Sequence, residues 1–229
     1  MSGTAILSKD ILTRVTLDIP YKEWKFLLPP RPETVISSST IGFYEQRGWL
    51  AQYKKNGTCS LIGVSPEGVI HNLNRHGEAH KRWIPGAATR RLVEFAPKGV
   101  WTVFLGELMH EKTILIKDTL YIFDIIVAES KQLIGTTFLE RQGYLTSLFP
   151  KPIGDTDSHY VMTAKIWLAK PIMRNMSETF EAIRDAKDTS NEGLVLKDPQ
   201  GKLDLMRTGA NQGWQVKVRI PVPNSHRGM

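Results

Sequence analysis

From Trp49 onward the chain alternates short apolar runs with tight turns. Trp49 to Lys54 leads into Asn56-Gly57, and Thr58 to Val64 runs to Ser65-Pro66-Glu67-Gly68. Val69 to Leu73 follows. Apolar runs of this length, separated by Asn-Gly and Pro-x-Gly, predict strands joined as hairpins. A helix is predicted over Ala88 to Phe95, then strands at Val100 to Leu105 and Leu120 to Val127. The second of these is almost continuously apolar, so both of its faces should be buried. Thr137 and Glu140 have capping-box spacing ahead of a helix over Phe138 to Phe149. A further helix is expected over Glu178 to Lys187, with Asn175 as its cap. Leu194 to Lys197, the turn Asp198-Pro199-Gln200-Gly201 and Trp214 to Ile220 complete the strands. Helices mixed with hairpins, without regular βαβ alternation, predict an α+β domain over residues 1–220. Before Trp49 the pattern is weak. Leu28-Pro29-Pro30-Arg31-Pro32 reads as an extended connector and Ser37-Ser38-Ser39-Thr40 as a loop. Residues 221–229 read as a tail.

Composition narrows the function without choosing it. The 229 residues are 41% hydrophobic and 23% charged, as in ordinary globular domains. The net charge of +7 suits a polyanionic partner such as nucleic acid. A single cysteine, Cys59, excludes an internal disulfide framework and fits a reducing, cytoplasmic setting. No apolar run approaches the ~18 residues of a membrane span, so no membrane partner is expected. The first ten residues do not read as a secretory signal. His71, His76 and His80 cluster, but the cysteines of a zinc site are missing.

Two segments carry the chemistry. Lys54-Lys55-Asn56-Gly57 places a lysine at the end of an apolar strand, just before a turn that could bring backbone close to a phosphate. An amine attacks phosphorus only when neutral, so such a lysine needs burial or cationic neighbours. Lys55 should point to the opposite face of the strand. Far downstream, Glu192-Gly193-Leu194-Val195-Leu196-Lys197 offers a carboxylate suited to a divalent cation. Lys197 lies on one face with Val195, within reach of the same site.

These segments, in this order, resemble the nucleotidyltransferase core of ATP-dependent polynucleotide ligases and mRNA capping enzymes. Matching segments lie between and after them: Asn74-Arg75-His76-Gly77, Gly106-Glu107-Leu108, Tyr121-Ile122-Phe123-Asp124 and Trp214-Gln215-Val216-Lys217-Val218-Arg219. The likeness covers roughly Trp49 to Arg219. It implies an ATP-grasp-like adenylation fold of antiparallel sheets flanked by helices. It implies Lys54 as nucleophile, with Glu192 and Lys217 completing the catalytic set. Tyr53, Arg75, Glu107, Phe123, Lys197 and Arg219 would join them in binding nucleotide. Phe123 would stack on the base and Arg75 would meet the sugar or a 5′-phosphate. Glu107 and Glu192 would hold Mg2+ or Mn2+.

The likeness is imperfect in two places. The family has two lysines at alternate positions of its last strand, often just after a tryptophan. Counted from Trp214, these positions fall on Val216 and Val218, so the pair is either Gln215 with Lys217 or Lys217 with Arg219. Asn56 and Thr58 resemble RNA ligases, where DNA ligases typically carry aspartate at the first of these positions. The implied function is an ATP-dependent polynucleotide ligase joining 5′-phosphate and 3′-hydroxyl ends through lysyl-AMP, with RNA-containing ends slightly favoured. A DNA nick ligase, a GTP-dependent capping guanylyltransferase and an inactive nucleic-acid-binding relative are the alternatives. No OB-fold domain is expected after Arg219, which raises an accessory nucleic-acid-binding protein as a partner.

Overall fold

The computed structural model describes residues 11–12, 30–74, 76–80, 83–204 and 213–221. Arg75, Lys81, Arg82 and the tail after Pro221 lie outside the described residues.

Two sheets face one another. The larger is contiguous in sequence. It holds β2 (Thr58–Val64), β3 (Ile70–Asn74), β4 (Thr102–Met109), β5 (Thr119–Ala128), β6 (Lys131–Gln132), β7 (Gly154–Asp155), β8 (His159–Thr163) and β9 (Ile166–Ala169). Their order is β3-β2-β4-β5-β9-β8-β7, with β6 paired to β5. The smaller sheet joins distant parts of the chain: β1 (Leu50–Lys55), β10 (Asn191–Lys197) and β11 (Gln215–Arg219), in the order β1-β10-β11. Pairing is antiparallel except between β5 and β9, which run parallel.

Each sheet has its own apolar core. The large sheet packs Leu61, Phe104, Leu105, Ile122, Ile125 and Val127 around Leu145 and Phe149. β5 is buried along nearly all its length, as its unbroken apolar run predicts. The small sheet packs Leu194, Leu196, Val216 and Val218 against Ile41, Met176, Phe180 and Ile183. Those partners come from α1 (Ile41–Gln46) and the later helix Met176–Ala186.

Local signals explain most elements. α2 (Ala87–Arg90) continues as a 3-10 turn over Arg91–Glu94, so the expected helix at Ala88 to Phe95 is two short pieces. α3 (Phe138–Ser147) begins at a complete capping box between Thr137 and Glu140. α4 (Met176–Ala186) follows Asn175, but the asparagine side chain does not cap it. Asn175 is left-handed, and the Glu45 carboxylate accepts from the backbone N–H groups of Asn175 and Met176 instead, at 2.7 and 3.1 Å. The expected loop at Ser37–Thr40 is helical. The Ser37 hydroxyl accepts from the Ser39 N–H, and the 3-10 turn Ser38–Thr40 runs directly into α1. Trp214 precedes β11 and is not part of it. Among the described residues no helix is long and apolar enough to cross a membrane.

Candidate active site

The cleft between the sheets has a volume of about 480 Å³. Strand register decides which side chains line it. Lys54 pairs with Gly193, Gln52 with Val195, Val195 with Lys217, and Lys197 with Gln215. Side chains alternate along a strand, so Gln52 and Lys54 of β1, Val195 and Lys197 of β10, and Gln215, Lys217 and Arg219 of β11 share the cleft face. All seven line it. Val216 and Val218 are buried in the opposite core. The basic positions of the last strand are therefore Lys217 and Arg219, with Gln215 in the same row.

Alternation alone would send Glu192 to the core side with Leu194. A β-bulge prevents this. Lys54 pairs with Gly193 and Lys55 with Asn191, so Glu192 is the extra residue between them. Gly193 makes the bulge with φ of 131°, where other side chains are strained. A Cβ there would lie 2.1 Å from the Val218 carbonyl oxygen. The released Glu192 carboxylate accepts a hydrogen bond from Lys54 Nζ and lies 3.9 Å from the Arg219 guanidinium. The Lys54 side chain keeps 19% of its surface exposed and Glu192 keeps 30%, so both can meet a ligand.

Glu107 enters from β4 across the cleft. The turn after β1 passes directly over it. A Cβ on Gly57 would come within 2.5 Å of Glu107 Cγ and 2.7 Å of the Leu108 carbonyl oxygen, so only glycine fits. Lys112 donates to the Gly57 carbonyl and ties the turn down. Desolvation pushes the Glu107 carboxyl up to about 7, against the pull of Lys54 and Lys112 and with a push from Glu192. This carboxylate lacks the positive charge it needs for full ionisation. A divalent cation shared between Glu107 and Glu192 would supply it, so the residues fit such an ion. Among the described residues no cluster of three or more His, Cys, Asp or Glu side chains could hold a metal, so further ligands would come from substrate or water.

Lys55 leaves Lys54 by the other face of β1, as alternation predicts. It is only 6% exposed. Its Nζ donates to Asn191 Oδ1 at 2.7 Å and Ser158 Oγ at 3.1 Å, above the Tyr53 and Tyr121 rings. Burial lowers its pKa to about 8, partly opposed by Asp188. Lys217 is also lowered, by burial first and then by Arg219 and Lys54. Its Nζ donates to the Pro32 carbonyl at 2.8 Å, and its backbone N–H to that of Thr34. The Pro30–Pro32 connector thus forms part of the cleft wall, and Arg31 lines it too.

The far end of the cleft differs in chemistry. Phe123 and Lys197 line it. Strand alternation set Lys197 on the cleft face with Val195, and it lines the same cleft as Glu192, with its contacts around Gln52, Phe123 and Phe138. Its ammonium donates to Gln52 Oε1 at 2.7 Å and sits 4.9 Å from the Phe123 ring centre and 4.6 Å from that of Phe138. Burial lowers its pKa to about 8; Asp124 opposes this and Arg141 adds to it. Behind it, Arg141 and Asp124 form a fully buried, two-pronged ion pair at 3.0 and 3.1 Å. The site therefore unites Lys54, Glu107, Glu192, Lys217 and Arg219 at one end, and Phe123 and Lys197 at the other, while the Tyr53 ring lies against the Lys55 ammonium on the other face of β1. The sequence did not single out Gln52, Arg31 or Lys112. The signal for Gln52 was its place two residues before Lys54, on the same strand face.

No family model matches the chain, and no curated protein sequence does. Solved structures do. The ligase domain of LigD from M. tuberculosis superposes with a TM-score of 0.58 at 16% identity, covering 84% of this chain and 59% of that one. The Chlorella virus DNA ligase-adenylate gives 0.51 at 17%, covering 85% and 68%. The ATP-dependent DNA ligase of bacteriophage T7, in complex with ATP, gives 0.51 at 16%, covering 84% and 68%. The chain spans about three fifths of the length of the LigD ligase domain.

Proposed function

On the premise of this fold, shared with ATP-dependent DNA ligases, we propose that the chain is an ATP-dependent polynucleotide ligase acting through a nucleotide carried on Lys54. The carrying observation is the bulge that turns Glu192 onto Lys54, beside Lys217 and Arg219, in a cleft between two sheets.

The chemistry follows from position. Lys54 Nζ attacks the α-phosphorus of ATP and displaces pyrophosphate. Glu192, already holding Nζ, orients the amine and is placed to receive its proton. Lys217 and Arg219 offset the charge that builds on the phosphoryl oxygens, which is most of what phosphoryl transfer asks of a protein. A divalent cation, when bound by Glu107 and Glu192, would screen the phosphates as a Lewis acid. Phe123 would stack on the base. The nucleotide then passes to a 5′-phosphate, and a 3′-hydroxyl displaces AMP. The preference for RNA-containing ends rests on Asn56 and Thr58 beside the nucleophile. Asn56 Nδ2 donates to the Thr189 carbonyl at 3.0 Å and so stiffens the turn.

Incubation with α-labelled ATP and magnesium, followed by denaturation, tests the reading. Label should remain on the wild-type chain and be absent from Lys54→Ala. Nicked DNA and RNA substrates then rank the ends. An unlabelled wild type, with manganese and GTP also tried, would leave a ligase-shaped nucleic-acid-binding protein.

A further inference from the structure

The base end of the cleft contains one polar group whose capacity is unspent. Gln215 is 3% exposed and lines the cleft, yet its Nε2 is buried with no hydrogen-bond partner among the described residues. Buried amide donors are nearly always satisfied, so an orphan facing a cavity points to a missing ligand atom.

Its neighbours are already committed. Gln52 Oε1 accepts from Lys197, which fixes the amide orientation. The Gln52 Nε2 hydrogens then face the Phe123 carbonyl and Gln142 Oε1, both at 3.4 Å. The Lys197 ammonium, after that bond to Gln52, lies against the Phe123 and Phe138 rings. Among the described residues at this end, Gln215 carries the buried side-chain donor with no hydrogen bond at all.

Its place along β11 fits a base. Arg219 lies opposite Gly193, at the Lys54 end, and Gln215 opposite Lys197, beside Phe123. Four residues of strand separate them by roughly 13 Å. A nucleotide with its α-phosphate at Lys54 would therefore extend its base towards Gln215. A carboxamide offers a donor beside an acceptor. Adenine answers with a ring-nitrogen acceptor beside its 6-amino donor, whereas guanine presents two acceptors along the corresponding edge.

We infer that Gln215 is the adenine-selecting residue, its Nε2 donating to a ring nitrogen and its Oε1 accepting from the 6-amino group. This rests on the ligase reading for the nucleotide's position, but it is tested by binding, which needs no chemistry. Calorimetry would measure ATP and purine riboside triphosphate, which lacks the 6-amino group, against wild type and Gln215→Leu. Wild type should prefer ATP by about threefold to tenfold, the worth of the one hydrogen bond that the analogue lacks. Gln215→Leu should bind the two nucleotides equally, and both more weakly than wild type binds the analogue, because the ring-nitrogen bond is lost as well. Gln215→Glu, which keeps an acceptor, should retain part of the preference. A wild-type ATP-to-analogue ratio in Gln215→Leu would overturn the inference. So would an equal loss for both nucleotides, which marks a structural role, or a wild type that binds neither. A wild type that binds ATP through Gln215 but never becomes labelled would refute the ligase reading and leave this one standing.

Discussion

Replacing Lys197 with methionine separates the energetic cost of a buried cation from its use. Burial lowers this ammonium from 10.5 to about 8. The difference corresponds to about 3 kcal/mol of destabilisation while both folded and unfolded chains are protonated. The sign follows from proton counting. Between pH 8 and 10.5 the unfolded chain holds the proton and the folded chain has released it, so wild-type stability rises with pH through that window. Lys197→Met has no such group. It also leaves Gln52 Oε1 without its donor, which costs about 1–3 kcal/mol. At pH 7 the two effects nearly cancel, and the variant should lie within about 2 kcal/mol of wild type. The informative quantity is the difference between the two proteins, because every other titrating group, Lys55 included, is common to both. Urea unfolding followed by tryptophan fluorescence from pH 7 to 10.5 gives it. Wild type should gain about 3 kcal/mol on the variant across the window. Parallel curves would show that Lys197 is not held as a desolvated cation and would refute the reasoning.

Other perturbations reach different parts of the site. Arg141→Met strands the Asp124 carboxylate in the core and should cost about 3–5 kcal/mol in a urea titration, with Asp124→Leu added to it recovering part of the loss. Gly193→Ala demands a left-handed alanine against the Val218 carbonyl. It should destabilise by at least about 2 kcal/mol and lower Lys54 labelling with ATP beyond what lost folded fraction explains, because Glu192 loses its aim. Thr137→Ala removes one half of the capping box and should lower stability by about 1 kcal/mol, with Lys54 labelling unchanged.

What the sequence could show depended on whether the deciding contact was local. β2 spans the range its turns predict, and the α3 capping box was readable three residues apart. Ser37 misled because serines favour loops and helix caps alike, and here its hydroxyl caps the turn that leads into α1. β7, β8 and β9 are two to five residues long and are added in turn, β9 on β5, β8 on β9 and β7 on β8, so no periodicity announced them. In the site, the resemblance named Lys54, Glu107, Glu192, Phe123 and Lys197, and all five line one cleft. Where along it Lys197 sits was not legible, because alternation says which face a side chain takes, not how far along the cleft it reaches. The register of the last strand required the pairing with β10, which counting from Trp214 cannot supply.

The two sheets also differ in when they can form. β2 to β9 follow one another along the chain, so the large sheet can assemble as it leaves the ribosome. β1 emerges earlier but must wait for β10, and Lys54 and Glu192 are 138 residues apart. Closing so long a loop is slow, and until then β1 offers an apolar edge to any passing chain. Lys54 is thus among the first parts of the site to be synthesised and among the last to be installed. A stalled or truncated product lacking β10 would hold the larger sheet and only one wall of the cleft.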